Sequence, residues 1–78
     1  MPIRAYLLIE AQAGKGSTIV NTLRGLKETI QADRVTGPYD VICVFESDDL
    51  DKLGDLVRDK VHKIDGVTRT MSCLRFTA

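Results

Sequence analysis

From Ile3 to Glu10 apolar side chains alternate, so that Ile3, Ala5, Leu7 and Ile9 share one face of an extended segment and Arg4, Tyr6, Leu8 and Glu10 the other. This pattern predicts a strand, and the apolar middle of its second face, Tyr6 and Leu8, predicts that both sides are covered. Small residues and glycines from Ala11 to Gly16 predict a loop, after which Ser17 or Thr18 offers a capping oxygen to a helix. In that helix Ile19, Leu23, Leu26 and Ile30 recur on one stripe, Asn21, Thr22, Lys27 and Glu28 fall toward solvent, and Gly25 sits in the interior. A short strand follows from Ala32 to Thr36, then a turn, Gly37-Pro38-Tyr39-Asp40, and a strand from Val41 to Glu46 that is apolar on both faces. Ser47, Asp48 and Asp49 supply capping oxygens, and with Asp51 the negative charge that a helix start favours. Leu50, Leu53, Val57, Val61 and Ile64 line the buried side of this second helix, which Asp65-Gly66 closes. The last strand runs from Val67 to Phe76, with Val67, Met71 and Cys73 on one face and Thr68, Thr70, Ser72, Leu74 and Phe76 on the other.

The order strand, helix, strand, strand, helix, strand is the ferredoxin-like split βαββαβ plan, an α+β fold of the dimeric α+β barrel type. Right-handed crossovers put both helices on one face of a four-stranded antiparallel sheet. If Ile3, Ala5, Leu7, Val41, Cys43 and Phe45 meet the helices, then Tyr6, Leu8, Ile42, Val44, Leu74 and Phe76 form an apolar patch on the open face. A patch of that size is unusual on a monomer, and face-to-face packing in a two-fold dimer would bury it. A homodimer through this face is therefore expected.

Length and charge narrow the chemistry. The 78 residues suffice for one domain, 1–78, with a core that oligomerisation would help to stabilise. Eleven basic and eleven acidic residues are intermixed, so no basic cluster offers itself to a phosphate backbone and direct nucleic-acid binding is not expected. No apolar run is long enough to span a membrane and no signal peptide is visible, and with two unpaired cysteines this fits a cytoplasmic protein. Cys43 and Cys73 lie in apolar runs and read as core residues, on strands separated by the first strand. His62 has no neighbour at metal-ligand spacing, no nucleophile and base group with it, and no cofactor or metal is expected. The stretch Gly14-Lys15-Gly16-Ser17-Thr18 lacks the spacing of a phosphate loop and reads as a connection.

The most specific element is Thr36-Gly37-Pro38-Tyr39-Asp40. It is a hairpin turn by composition, and equally a place where Gly37 admits a ligand close to backbone, Tyr39 forms a wall and Asp40 faces a cation. Thr68, Thr70 and Ser72 would add hydroxyls. With the opening strand Ala5-Tyr6-Leu7-Leu8-Ile9 and the closing Ile64-Asp65-Gly66-Val67-Thr68-Arg69-Thr70-Met71-Ser72, the chain resembles the effector-binding (RAM) domain of the Lrp/AsnC transcription regulators over essentially its whole length. The resemblance implies dimers through the open sheet face, further assembly into rings such as octamers, and amino acids or related metabolites bound in clefts between dimers. It implies that Gly37, Tyr39 and Asp40 line the effector site, with Thr70 and Ser72 nearby. Regulators of this family carry a helix-turn-helix domain, for which nothing before Ile3 leaves room, so a stand-alone effector domain is expected, acting alone or with a full-length regulator. The alternative is a small dimeric α+β barrel enzyme of the cofactor-free monooxygenase or isomerase type, which would line a site between helices and sheet with His, Trp or Asn. Only His62 and Asn21 are available for that here.

Overall fold

Strand β1 (Ile3–Ala11) crosses the middle of the molecule with its odd-numbered side chains buried, as the alternation requires. The computed structural model describes residues 2–76. After β1 come α1 (Gly16–Arg24), β2 (Thr29–Arg34), β3 (Val41–Ser47), α2 (Leu50–Leu56) with a π-helical turn over Val57–Val61, and β4 (Val67–Leu74). The sheet order is β2-β3-β1-β4, antiparallel throughout. Its centre is therefore the apolar pair β1 and β3, whose helix-facing side chains Ala5, Leu7, Ile9, Val41, Cys43 and Phe45 form the core with Ile19, Leu23, Leu53, Leu56 and Val61.

The first helix starts earlier and ends earlier than periodicity predicts. Lys15, not Ser17 or Thr18, holds the cap position, without a side-chain hydrogen bond. Gly25 is the C-cap rather than an interior residue, and Thr29 Oγ1 donates to the freed carbonyl of Leu23 at 2.6 Å. The β-branched pair Thr29-Ile30 prefers an extended backbone and opens β2, which leaves Ile30 54% exposed instead of on the helix stripe. The second helix begins as expected, with Asp49 accepting from the Asp51 N–H at 2.8 Å. Leu50 is half exposed, and Leu56, outside the expected stripe, is buried in its stead.

Register corrects the reading of the last strand. Cross-strand partners share a face, and β4 pairs Leu74 with Ala5, Ser72 with Leu7 and Thr70 with Ile9. Leu74 thus projects on the helix side, at an edge that α2 leaves open, and not with Tyr6 and Leu8. Phe76 lies beyond the end of β4 and is exposed. Their places on the open face belong to Met71, opposite Leu8, and Cys73, opposite Tyr6. The open face is then Tyr6, Leu8, Ile42, Val44, Met71 and Cys73, bounded at one end by the Arg4–Glu46 ion pair and at the other by Arg69 and Glu10, 3.7 Å apart.

The two cysteines consequently differ. Cys43 is fully buried, and burial pushes its thiol up to about 11, whereas Cys73 is exposed, against the expectation that both are core residues. Because the folded-state value is raised, the contribution of Cys43 to stability is unchanged below about pH 9 and declines as pH rises toward about 11. Near pH 8, at a protein concentration low enough to keep the chain a monomer, a small aromatic disulfide reagent is expected to modify Cys73 much faster than Cys43, which reacts only on unfolding. Equal rates for the two thiols would contradict this placement.

Candidate functional site

The β2–β3 hairpin is closed by the Val35 N–H donating to the Asp40 carbonyl at 2.9 Å, and the Asp40 N–H extends the central ladder by donating to the Ile9 carbonyl at 2.9 Å. Gly37, at the tip, has φ +132°, a conformation that L side chains rarely adopt, and an added Cβ would meet nothing within 4 Å. At the far end of β1, Ala11 lies two residues beyond Ile9 and so aims its N–H to the same, β3 side of the strand, next to a register shift in the pairing with β4. Asp40 Oδ2 accepts this N–H at 2.7 Å. This bond fixes the carboxylate beside the β1–α1 loop, and among the described residues Oδ1 has no protein donor.

A cavity of about 360 Å³ opens there, walled by Ala11, Gln12, Gly14, Ser17, Arg34 and Asp40. Its walls are mostly polar backbone and small side chains, because the loop is built from alanine and glycine. Arg34 was not singled out from sequence. It belongs to β2, two residues after the buried Ala32 and opposite Val41, so it projects on the helix side of the sheet, where its Nη1 donates to Ser17 Oγ at 3.1 Å. A charged residue at the end of an otherwise core-facing alternation was the signal available for it.

Within one chain the other expected site residues do not converge on Asp40. The Tyr39 hydroxyl reaches Met71 Sδ at 3.5 Å, toward the open face. Thr70 and Ser72 lie on the helix side of β4, and Thr68 Oγ1 donates to the Glu10 carbonyl at 3.1 Å. Ser72 lines a separate groove of about 720 Å³ between α2 and β4, with Leu50, Leu53, Val57, His62 and Leu74. At its end His62 Nε2 lies 2.7 Å from Thr70 Oγ1, a pairing invisible in the sequence. No carboxylate hydrogen-bonds His62 among the described residues, so the pair ties the helix end to β4 without forming a catalytic triad. Among the described residues there is also no group of three or more metal-ligating side chains, and no helix long and apolar enough to cross a membrane.

The fold just described is shared with known proteins. Residues 4–77 match the model of the Lrp/AsnC ligand binding domain. The HTH-type transcriptional regulator FL11 of Pyrococcus furiosus is 32% identical over 75 residues, which cover 94% of this chain and 49% of FL11. The chain thus spans about half the length of this curated relative. Among solved structures, TTHA0845 from Thermus thermophilus superposes with a TM-score of 0.92 at 29% identity, covering 97% of this chain and 95% of that one. The transcriptional regulator NMB0573 of Neisseria meningitidis, solved as an L-Met complex, has the same fold at a TM-score of 0.84 and 17% identity, covering 96% of this chain and 50% of that one. With a family model matched along nearly its whole length, and FL11, an HTH-type transcriptional regulator, as a relative, this chain belongs to the Lrp/AsnC ligand binding domain family.

Proposed function

We propose that this chain is a non-catalytic regulatory module that binds an amino acid, or a closely related metabolite, beside the β2–β3 hairpin and works as a homo-oligomer. The observation that carries the reading is the Asp40 carboxylate at the wall of a polar cavity, one oxygen held by the Ala11 N–H and the other open to a ligand ammonium. Such a charge-assisted contact contributes roughly 1.5–3 kcal/mol when partly dry. The L-Met complex of the Neisseria regulator, a protein with this fold, supports the ligand class. Dimerisation through Tyr6, Leu8, Ile42, Val44, Met71 and Cys73 would bury the apolar strip on the open face, and further assembly into a ring, as the family resemblance implies, would set the site between dimers, with Gly37, Tyr39, Thr70 and Ser72 contributing to it. The same open face is a route to co-assembly with a longer regulator of this family.

The test is a thermal-shift screen against the proteinogenic amino acids, with mass measured by light scattering. A ligand specific for the folded state stabilises it by about 2.7 kcal/mol at about a hundredfold excess over Kd, a shift of several degrees. One or two amino acids that shift Tm, with a mass above that of a monomer, are the expected result; no shift for any of them would refute amino-acid binding. Asp40→Ala is expected to weaken the bound amino acid about tenfold or more while leaving the oligomer intact. Unchanged affinity would remove Asp40 from the site.

A further inference from the structure

Asp40 accounts for only one end of an amino acid. We propose that Arg34 recognises the other end, so that the cavity selects the zwitterionic head group by placing the ligand carboxylate on Arg34 and its ammonium on Asp40. This rests on the amino-acid reading above and names the recognition chemistry of that site.

Both side chains wall the same cavity, yet they make no ion pair with each other. Arg4, Arg24, Arg58 and Arg69 each pair with a carboxylate within 4.0 Å. Arg34, by contrast, meets only the neutral Ser17 hydroxyl among the described residues. That contact uses one of the guanidinium's five N–H donors and leaves a planar fork suited to a carboxylate. The Arg34 side chain passes close over Gly16: an added Cβ there would lie 3.3 Å from Arg34 Nε, so a side chain at this position would crowd it. The first turn of α1, which carries Ser17, has no acidic residue to pair with Arg34. Opposite charges on separate walls of a polar cavity are the complement of a zwitterion, and neither an amine nor a plain carboxylic acid satisfies both.

The experiment compares matched ligands by calorimetry: L-leucine with isoamylamine, L-phenylalanine with phenethylamine, and L-lysine with cadaverine, using the pair whose amino acid gives the largest thermal shift. The intact protein is expected to bind the amino acid at least about tenfold more tightly than the amine lacking the carboxylate. Arg34→Gln should weaken the amino acid about tenfold and leave the amine unchanged, and Arg34→Lys should recover part of the loss. An Arg34→Gln protein that binds the amino acid as the parent does, or that loses amine and amino acid equally, would overturn the role of Arg34 while leaving amino-acid binding standing. Should Arg34→Gln not fold, the parent protein decides alone, because equal affinity for amino acid and amine also overturns the proposal. Failure of every amino acid to bind the parent would overturn both this proposal and the function on which it rests.

Discussion

Val44→Glu is expected to turn the protein into a folded monomer, read as a fall in sedimentation coefficient with little change in far-ultraviolet circular dichroism. Val44 lies at the middle of the open face, opposite Tyr6 on β1 and Gln31 on β2. Its side chain is not part of the helix-side core, so the charge costs the isolated chain little. Against a second copy it is different. The strip formed by Tyr6, Leu8, Ile42, Met71 and Cys73 offers no cation, and the nearest ones on this face, Arg4 and Arg69, already pair with Glu46 and Glu10. Burying an unpaired carboxylate costs several kcal/mol, and about 4 kcal/mol corresponds to roughly a thousandfold in dimer dissociation constant. The thiol of Cys73 supplies an independent readout, because it shares this face with Tyr6. If the dimer covers it, Val44→Glu should raise its modification rate. A variant that still sediments as the parent does, with Cys73 no more reactive, would mean that copies associate elsewhere.

Gly66→Ala is expected to be the most destabilising of the conservative substitutions in this chain. Gly66 has φ +98°, and an added Cβ would lie 2.5 Å from Lys15 Cβ and 2.7 Å from its Cγ. Lys15 can move its Cγ by rotating χ1, but its Cβ is fixed by the backbone that starts α1, so the closer contact stays. The left-handed backbone costs a non-glycine residue about 1–2 kcal/mol and the overpacking a further 1–3 kcal/mol or so. A domain of this size has only about 4–12 kcal/mol of stability, so a fall in Tm of roughly ten degrees or more should follow. The defect also sits where two loops are clasped: the Gln12 N–H donates to the Gly66 carbonyl at 2.8 Å, and Lys15 Nζ lies 2.9 Å from Asp65 Oδ2. Gln12 forms a wall of the proposed ligand cavity, so amino-acid affinity should fall with stability. Gly37→Ala is the control, since φ +132° carries a backbone penalty with no atom within 4 Å to clash. Equal effects at the two glycines would show that the clasp between the loops contributes nothing.

What could be read from residue order was what depends on neighbours along the chain. Alternation on β1 and β3 sorted their residues into two faces, because a pleated strand repeats every two residues whatever packs on it, while which face the helices cover was left to the fold. The Asp49 cap, the positive φ at Gly66 and the hairpin before Asp40 are likewise local preferences of side chain and backbone. The Gly-x-Tyr-Asp and Gly-Val-x-x-Thr elements pointed to the family for the same reason.

Tertiary structure decided whatever required a partner distant in sequence. The end of α1 depended on Thr29 folding back to the Leu23 carbonyl, a contact that periodicity could not weigh. In β4 the alternation separates Met71 and Cys73 from Thr70 and Ser72, but only pairing with β1 puts the first pair on the open side and the second on the helix side. Its register against β1, with the shift at Glu10 and Ala11, placed Leu74 on the opposite face from the one expected. The cavity follows the same rule. Asp40 reaches back 29 residues to the Ala11 N–H, and Arg34 reaches across 17 residues to Ser17. Local sequence thus determined which segments extend, coil and turn, whereas the opposed charges of the site came into being only when pairing of the strands closed those distances.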